Sequence, residues 1–271
     1  MTFFWSSSHV PVDYFRFLPE GCISEILSLT SPKDAARFSA VSRTFLSAAE
    51  SDIVWEKFLP SDYEDIISRS DSLMVSPSKK QLYLSLCDSP ILLDGGRLSL
   101  SLDKKTGKKC FMVAARELGI TWGDTPVYWE WLSHSDSRFS EVAKLNWVCW
   151  LDIRGKIETR MLSKRTKYFA YLVFKLEDRF HGLGNANAVV RFVDSESDSD
   201  AEQRASVVRL SGQGPRATLP LSRDDGWMEV ELGNFFNDTG EDGAVDARLM
   251  EIRDLGWKGG LIVQGVEFRP E

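Results

Sequence analysis

The spacing of apolar residues changes near residue 90, and this change most limits the folds open to the chain. In the first sixty residues, Ile23, Ile26 and Leu27 recur at three- and four-residue intervals, the period of an α-helix. From residue 91 the period becomes two, as in the alternating LSLSL at 98–102. A chain of 271 residues is long enough for two modest domains. The pattern predicts a small all-α unit followed by an all-β antiparallel sandwich.

Three short helices are predicted in the all-α unit. Pro19 lies where the first turn of a helix tolerates proline. Ser31 can cap a second helix that has Pro32 at its first position, with Asp34 reaching back to the cap. Asp52 can cap the third helix. Three short helices bury little surface by themselves. Their apolar stripes therefore either pack against each other or dock onto the helices of another protein, and periodicity leaves both open.

Composition shifts and turn residues divide the chain into four segments. We expect a flexible N-terminus at 1–14, the helical unit at 15–60, a helical or irregular linker at 61–90 and the sandwich at 91–271. Within the sandwich, the acidic and polar stretch at 195–204 predicts a flexible loop.

The β half is predicted to contain many short strands. The segment 167–178 (KYFAYLVFKLED) has apolar residues on both faces, which is typical of a central strand that is covered on both sides. Turn clusters such as HGLGN and GEDG separate the other strands, and strands at this spacing favour an antiparallel sandwich. These strands are expected at 147–154, 189–194, 206–210, 227–232, 248–252 and 261–268.

Charge and cysteine usage exclude several classes of protein. The net charge of −7 argues against a nucleic-acid partner, because neutralising phosphates needs clustered Lys and Arg. No run of eighteen apolar residues exists, so no membrane span or membrane partner is expected. The four cysteines lack C-x-x-C pairing, which predicts reduced thiols rather than a zinc site or a disulfide framework. Together with the absence of a signal-peptide pattern at the N-terminus, this predicts a location in the cytoplasm and nucleus.

The sequence also lacks the usual marks of catalysis. Its three histidines, His9, His134 and His181, lie far apart, near the N-terminus or in turn-like stretches. The G-x-S-x-G, H-E-x-x-H and phosphate-loop patterns are missing. We therefore predict a binding protein without a catalytic residue, a metal or a cofactor.

One stretch crowds aromatic residues around a tight turn. Residues 120–131 read ITWGDTPVYWEW, with Trp122, Tyr128, Trp129 and Trp131 around Gly-Asp-Thr-Pro. Tyr and Trp each carry a polar tip that needs a partner when buried, whereas cores more often use Leu, Ile and Val. Some of these rings are therefore either unusual core residues or are displayed to a ligand.

The N-terminal residues resemble an F-box. The matching features cover about residues 15–60 and include Leu18-Pro19, Ser31-Pro32-x-Asp34 and Asp52-x-x-Trp55, in the order and approximate spacing of that family. The resemblance implies docking onto the Skp-type adaptor, and through it the cullin, of an SCF ubiquitin ligase. The residues that it implies for the adaptor contact are Leu18, Pro19, Ile23, Ile26, Leu27, Pro32 and Val41.

Residues from about 109 to the end resemble the phloem-protein lectins of plants, the Nictaba-related family. Matching stretches include AARELGITWGDTPVYWEW, EVAKLNWVCWLDIRGKIETRML and GLIVQGVEFRPE. The resemblance implies a jelly-roll-like lectin domain that binds N-acetylglucosamine oligomers or the chitobiose core of N-glycans, on glycoproteins or as free oligomers. It places the sugar contacts on Trp122 and Trp129, with Asp124 and Tyr128 as hydrogen-bonding neighbours. Trp131 is assigned equally to core or to the sugar platform, and Trp147, Trp150, Trp227 and Trp257 to the core or its rim.

Two functions follow from these resemblances. In the first, the chain is the substrate-recognition subunit of an SCF-type ligase, and its sandwich selects clients through a GlcNAc-containing glycan. In the second, the F-box role is kept, but the sandwich is a protein–protein interaction module that binds no sugar.

Overall fold

The computed structural model describes residues 18–72, 74–212 and 219–271. The predicted flexible N-terminus at 1–14 and the first three residues of the predicted F-box lie outside the described residues. Within the described residues, six helices precede the first strand and the part from residue 91 onward is mainly β-structure, so the two-part prediction is confirmed. The helices are α1 (Glu20–Ser28), α2 (Pro32–Phe38), α3 (Arg43–Glu50), α4 (Asp52–Phe58), α5 (Tyr63–Ser68) and α6 (Lys79–Asp88).

The helical unit contains four helices within 15–60, where three were predicted. The predicted cap at Ser31 is confirmed, because its hydroxyl accepts a hydrogen bond from the Asp34 amide at 3.1 Å. A second serine, Ser42, accepts from the Phe45 amide at 3.3 Å and starts a separate helix. The prediction that Asp52 caps α4 is wrong, since its carboxylate accepts from the Lys79 amide at the start of α6 instead, at 2.7 Å. The hydroxyl groups of Ser31 and Ser42 thus set where α2 and α3 begin.

Fourteen strands are formed in the described residues, and all their pairings are antiparallel. The strands are β1 (Ile91–Leu93), β2 (Leu98–Leu102), β3 (Lys109–Ala114), β4 (Gly119–Ile120), β5 (Trp129–Leu132), β6 (Val142–Leu145), β7 (Leu151–Glu158), β8 (Thr166–His181), β9 (Ala186–Phe192), β10 (Ser206–Val208), β11 (Leu221–Ser222), β12 (Met228–Asn237), β13 (Ala244–Glu251) and β14 (Gly259–Pro270).

The strands form two sheets that pack as a sandwich. The larger sheet has the order β1-β2-β3-β14-β8-β12-β11, and the β5–β6 hairpin joins it through β14. The smaller sheet has the order β10-β9-β13-β7-β4. The long strand β8 lies between β14 and β12, which confirms the predicted central strand. The core between the sheets contains Tyr168, Phe268 and other fully buried side chains.

The helical unit and the sandwich share one continuous hydrophobic core. The Tyr83 hydroxyl in α6 donates toward the carbonyls of Asp103 and Lys104, each at 3.2 Å, in the turn between β2 and β3. The ammonium of Lys109, only 6% exposed, lies 2.9 Å from the carboxylate of Asp62. These contacts fix the direction in which the sandwich extends from the helices.

The acidic stretch at 195–204 is not the flexible loop that its composition predicted. It contains a seventh helix, α7 (Asp198–Gln203), which packs against the smaller sheet through Ala201. Arg154 holds the Asp198 carboxylate at 2.7 Å, and Arg248 holds Glu202 at 2.6 Å. The polar composition of 195–204 predicted a flexible loop, but arginines on the strands beneath pair with its carboxylates and hold it as a helix.

Among the described residues, no helix combines the length and the apolar composition that a membrane span requires.

Candidate functional site

The helical unit exposes a band of large apolar side chains. Three of the predicted adaptor contacts lie in it: Leu18, Ile26 and Val41 are 36%, 42% and 64% exposed. Pro19, a fourth predicted contact, is also exposed beside Leu18. Seven large apolar side chains are exposed in all among the described residues of the unit, and so many exposed apolar side chains in a short stretch are typical of a surface that binds another protein. We call this surface the apolar band, and its members are Leu18, Ile26, Leu29, Phe38, Val41, Leu46 and Ile53.

Three other predicted adaptor contacts lie inside the unit. Ile23 and Leu27 are each 1% exposed and belong to the core, and Pro32 is also buried. The prediction that these side chains face a partner is wrong in this structure. Residues four apart share one face of a helix, so Ile23 and Leu27 point inward together. Helix α1 therefore has two apolar faces, and the sequence spacing did not show which one is exposed.

The aromatic turn at 121–128 crosses from β4 in the smaller sheet to β5 in the larger one. Trp122 has a φ of +59°, in the left-handed region that a tryptophan seldom adopts. The Trp122 carbonyl accepts from the Thr125 amide at 2.9 Å, and the Thr125 carbonyl accepts from the Tyr128 and Trp129 amides at 2.9 and 3.0 Å. This backbone geometry turns the Trp122 indole outward, where it is 43% exposed.

Trp122 and Tyr128 form an aromatic pair at the surface. Their ring centroids are 5.2 Å apart with planes inclined by 35°. Tyr128 is half-buried, and Asp124 is exposed on the turn between the two rings. The turn therefore displays one exposed indole packed against a half-buried phenol ring, with an exposed carboxylate on the same turn.

Trp129 is not part of this surface. Its side chain is 2% exposed and lies in the main core, so the prediction that this indole is displayed to a ligand is wrong. It pairs with Leu145 across the β5–β6 hairpin, and both side chains point between the two sheets. The indole Nε1 has no hydrogen-bond partner among the described residues. Its burial therefore leaves a polar donor unsatisfied, which costs stability.

Trp131 lies at the edge between core and surface. Its Nε1 donates to the Gly123 carbonyl at 2.9 Å, and the Arg116 guanidinium covers its ring at 3.8 Å from the centroid. Two hydrogen bonds to Glu141, at 2.8 and 3.0 Å, hold Arg116 there and lower the pKa of that carboxyl group. Trp131 therefore anchors the turn, with its outer face covered by a cation.

Sequence reasoning missed three exposed tryptophans. Trp147, Trp150 and Trp257, assigned to the core or its rim, are 51%, 39% and 58% exposed. Trp147 lies against the His181 ring at 4.5 Å between centroids. The fourth, Trp227, is buried, with its Nε1 donating to the Asp136 carbonyl at 2.9 Å. A strand-like pattern around Trp147 and Trp150 concealed their position, because the strand begins only at Leu151.

The described part of the chain contains no group of three or more His, Cys, Asp or Glu side chains placed to hold a metal ion.

The structure is that of a two-domain protein. The helical domain exposes the apolar band, and the β-sandwich exposes the aromatic turn. Residues 15–57 match the F-box domain, and residues 108–270 match the family called Phloem protein 2. The chain therefore belongs to the F-box proteins that carry a phloem protein 2 domain.

Relatives with the same arrangement occur in Arabidopsis thaliana. F-box protein PP2-B10 of that plant is 46% identical over 97% of this chain and 96% of its own length. F-box protein At2g02240, also from that plant, is 46% identical over 94% of this chain and 80% of its own length. Among solved structures, a family 35 carbohydrate-binding module from Clostridium thermocellum is 11% identical and covers 59% of this chain and 96% of that one. Its TM-score is 0.34.

Proposed function

We propose that this protein is the substrate-recognition subunit of an SCF-type ubiquitin ligase. Its F-box binds a Skp-type adaptor, which connects it to the cullin, and its sandwich binds the client. The observation that carries the proposal is the apolar band, which leaves seven large apolar side chains of the helical unit exposed. A partner's helices would bury this surface, and apolar burial is the main driving force of such an association.

The proposed role needs no bond-breaking residue in this chain. A substrate receptor acts by holding the client near the site of ubiquitin transfer, which raises the local concentration of client lysines. The continuous core between helices and sandwich supports this role, because a fixed junction holds a bound client at a defined distance from the adaptor. The cytoplasm and nucleus are the proposed location.

Co-purification with a Skp-type adaptor tests the F-box role. Ile26→Asp places an unpaired charge in the apolar contact and should abolish recovery of the adaptor. The matched control is Val75→Asp, because Val75 is 83% exposed and lies outside the apolar band. Both variants should fold normally, since neither side chain is buried. Normal recovery of the adaptor with Ile26→Asp would show that the adaptor binds elsewhere.

For the sandwich, we propose that clients are recognised through a GlcNAc-containing glycan at the aromatic turn. The exposed Trp122 indole offers an apolar ring face on which the C–H face of a pyranose ring can lie, Tyr128 packs beside it, and Asp124 can accept a hydrogen bond from a hydroxyl group. Trp131 fixes the turn from behind, through the Gly123 carbonyl. Trp129 has no direct part in this site because it is buried. A shallow exposed site of this kind should bind a bare oligosaccharide weakly.

A titration with the GlcNAc trimer tests this part of the proposal. Trp122→Ala should remove the binding that occurs at the aromatic turn and change thermal stability little, whereas Trp150→Ala, which also removes an exposed indole, should bind as wild type does. Failure of the wild type to bind any GlcNAc oligomer, with its fold intact, would favour the protein–protein module. The exposed indoles of Trp147 and Trp257 support that second function, because aromatic residues are enriched at protein interfaces.

A further inference from the structure

A charged cleft of about 590 Å³ opens on the outer face of the larger sheet, where the end of α6 meets the sandwich. Its volume lies within the range of small-molecule sites. Strands β12 and β14 contribute Glu229, Glu267 and Arg269 to it, and the loop between β5 and β6 contributes Arg138.

Ion pairs hold four side chains of the cleft rigidly in place. Arg223 lies 2.7 Å from a Glu229 oxygen and 2.6 Å from a Glu267 oxygen. Arg269 lies 2.6 Å from the other Glu229 oxygen and stacks on Tyr171 at 4.0 Å from the ring centroid. Both glutamate side chains are less than 10% exposed. The donors and acceptors of the cleft are therefore fixed before any ligand arrives, and fixed groups lose little entropy on binding.

Arg138 differs from the other two arginines because it is loosely paired. Its Nη1 donates to the Ser99 hydroxyl at 3.2 Å, while its nearest carboxylate oxygens are 3.6 Å away on Glu267 and 3.9 Å away on Asp225. Burial lowers the pKa of this guanidinium, since the nearby charges compensate for lost hydration only in part. The Glu267 oxygen that faces Arg138 has no shorter ion pair. A hydroxyl group placed here can accept from Arg138 and donate to Glu267.

The charge of the cleft narrows the class of ligand. Three arginines face five carboxylates, those of Asp88, Asp224, Asp225, Glu229 and Glu267, which gives 3 − 5 = −2. This balance disfavours phosphate and acidic ligands. A cationic ligand is disfavoured at the floor, because Arg138, Arg223 and Arg269 surround both glutamates. The thiols contribute no nucleophile, since burial raises the pKa of Cys110 to about 12 and that of Cys87 to about 11.

From this array we infer that the cleft is a second saccharide site, which takes a neutral, hydroxyl-rich ligand between Arg138 and Glu267. Neighbouring hydroxyl groups of a sugar each combine a donor with an acceptor, and the alternating arginines and carboxylates match that pattern. The inference rests on the proposed role of the sandwich in client recognition. The site is distinct from the aromatic turn, because none of the residues that line the cleft belongs to 121–128.

NMR signals of the arginine Nε–H groups test the inference on the full chain. The probes are the neutral trisaccharides of GlcNAc, mannose, xylose and galactose at millimolar concentration. At least one should shift the signals of Arg138 and Arg223. Arg138→Met should weaken that binding by about tenfold or more, as expected when a charge-assisted hydrogen bond is lost. Arg97→Met is the control, because Arg97 is an exposed arginine that pairs with Glu117 and does not line the cleft.

A second variant tests the same site in case Arg138→Met does not fold. Ser222→Trp fills the mouth of the cleft from an exposed position and leaves the ion pairs intact, so it should also remove binding. Trp122→Ala should leave the shifts at Arg138 and Arg223 unchanged. If no trisaccharide shifts these signals, or if only trilysine or inorganic phosphate does, the inference is overturned. If Trp122→Ala removes all sugar binding and Arg138→Met removes none, the aromatic turn is the only sugar site. Adaptor co-purification reports separately on the F-box.

Discussion

The helical unit and the sandwich treat their large apolar side chains differently. Between residues 18 and 53, the seven members of the apolar band are exposed. Over the much longer described part of the sandwich, only ten comparable side chains are exposed: Trp122, Val127, Trp147, Trp150, Phe180, Val207, Leu221, Phe236, Leu255 and Trp257. The sandwich buries most of its large apolar side chains, whereas the helical unit leaves a larger share of its own exposed.

The inner residues of the helices explain this difference. Ala35, Ala48 and Ala49 are fully buried, and the Trp55 indole donates to the Ala49 carbonyl at 2.6 Å. Small side chains let the short helices approach closely around Trp55, and the inner faces of the helices are filled by residues such as Ile23 and Leu27. Residues such as Ile26 and Leu46 therefore stay at the surface. The comparison predicts that substitutions in the band affect binding, whereas substitutions inside the sandwich affect stability.

The largest expected effect on stability comes from the buried tryptophan of the aromatic turn. Trp129→Ala should lower the free energy of unfolding by about 3 to 5 kcal/mol, because it leaves a large cavity between the sheets. Trp122→Ala should lower it by less than about 1 kcal/mol, since that indole is exposed. Urea unfolding of the full chain measures both. Equal losses would mean that the two indoles are not divided between core and surface.

A smaller loss of stability is expected when an ion pair on the outer face of the smaller sheet is broken. Arg248 makes two hydrogen bonds to Asp152, at 2.7 and 2.8 Å, and both side chains are less than 10% exposed. Arg248→Met leaves that carboxylate buried without its partner and should cost about 3 kcal/mol. It should also free α7, which Arg248 holds through Glu202, and so speed proteolysis at 195–204.

Arg97→Met serves as the control, because its ion pair with Glu117 lies in water. Its unfolding midpoint should not change. A similar midpoint for Arg248→Met would show that the buried pair contributes little to the sandwich.

The junction between the two regions is sensitive to one added carbon atom. At Gly107, φ is +72° and a Cβ would lie 2.6 Å from the Phe58 carbonyl oxygen. At Gly95, φ is also +72°, but no atom lies within 4 Å. In both alanine variants, the left-handed backbone conformation costs roughly 1 to 2 kcal/mol of stability. Gly107→Ala should lose about 1 kcal/mol more in urea unfolding, because overpacking adds to that cost. Equal losses would argue against a tight junction.

The smallest effect is expected at the capped start of α2. Ser31 accepts from the Asp34 amide and donates to its carboxylate at 2.8 Å. Ser31→Ala should cost about 1 kcal/mol in thermal unfolding, the usual cost of a lost N-cap. Ser47→Ala, at an exposed position within α3, should cost nothing measurable. If the two variants behave alike, the cap does not stabilise the helical unit.

Much of the fold follows from local patterns in the sequence. The LSLSL alternation at 98–102 coincides with β2, and the doubly apolar stretch that begins at Lys167 lies within the central strand β8. The Ser31 cap was visible because capping depends on neighbours three residues apart. The break between α2 and α3 was missed, since an apolar periodicity runs through it from Phe38 to Phe45. Ser42 ends that periodicity with a local hydrogen bond.

The candidate surfaces were less predictable, because they depend on which side of an element faces inward. Ile23 and Ile26 are both apolar and three residues apart, yet one is buried and the other exposed. Trp122 and Trp129 flank the same turn, but Trp129 is in a paired strand and Trp122 precedes it in a left-handed conformation. No pattern in the sequence pointed to Arg138, because its neighbours Asp225 and Glu267 lie more than 80 residues further along the chain.

Hydrogen exchange of the full chain, with and without a Skp-type adaptor, tests the central claim most directly. The account predicts that the adaptor slows amide exchange between residues 18 and 53, over the helices that carry the apolar band, and leaves exchange in the strands from 91 onward unchanged. Protection confined to the sandwich, or no protection with a complex formed, would contradict it.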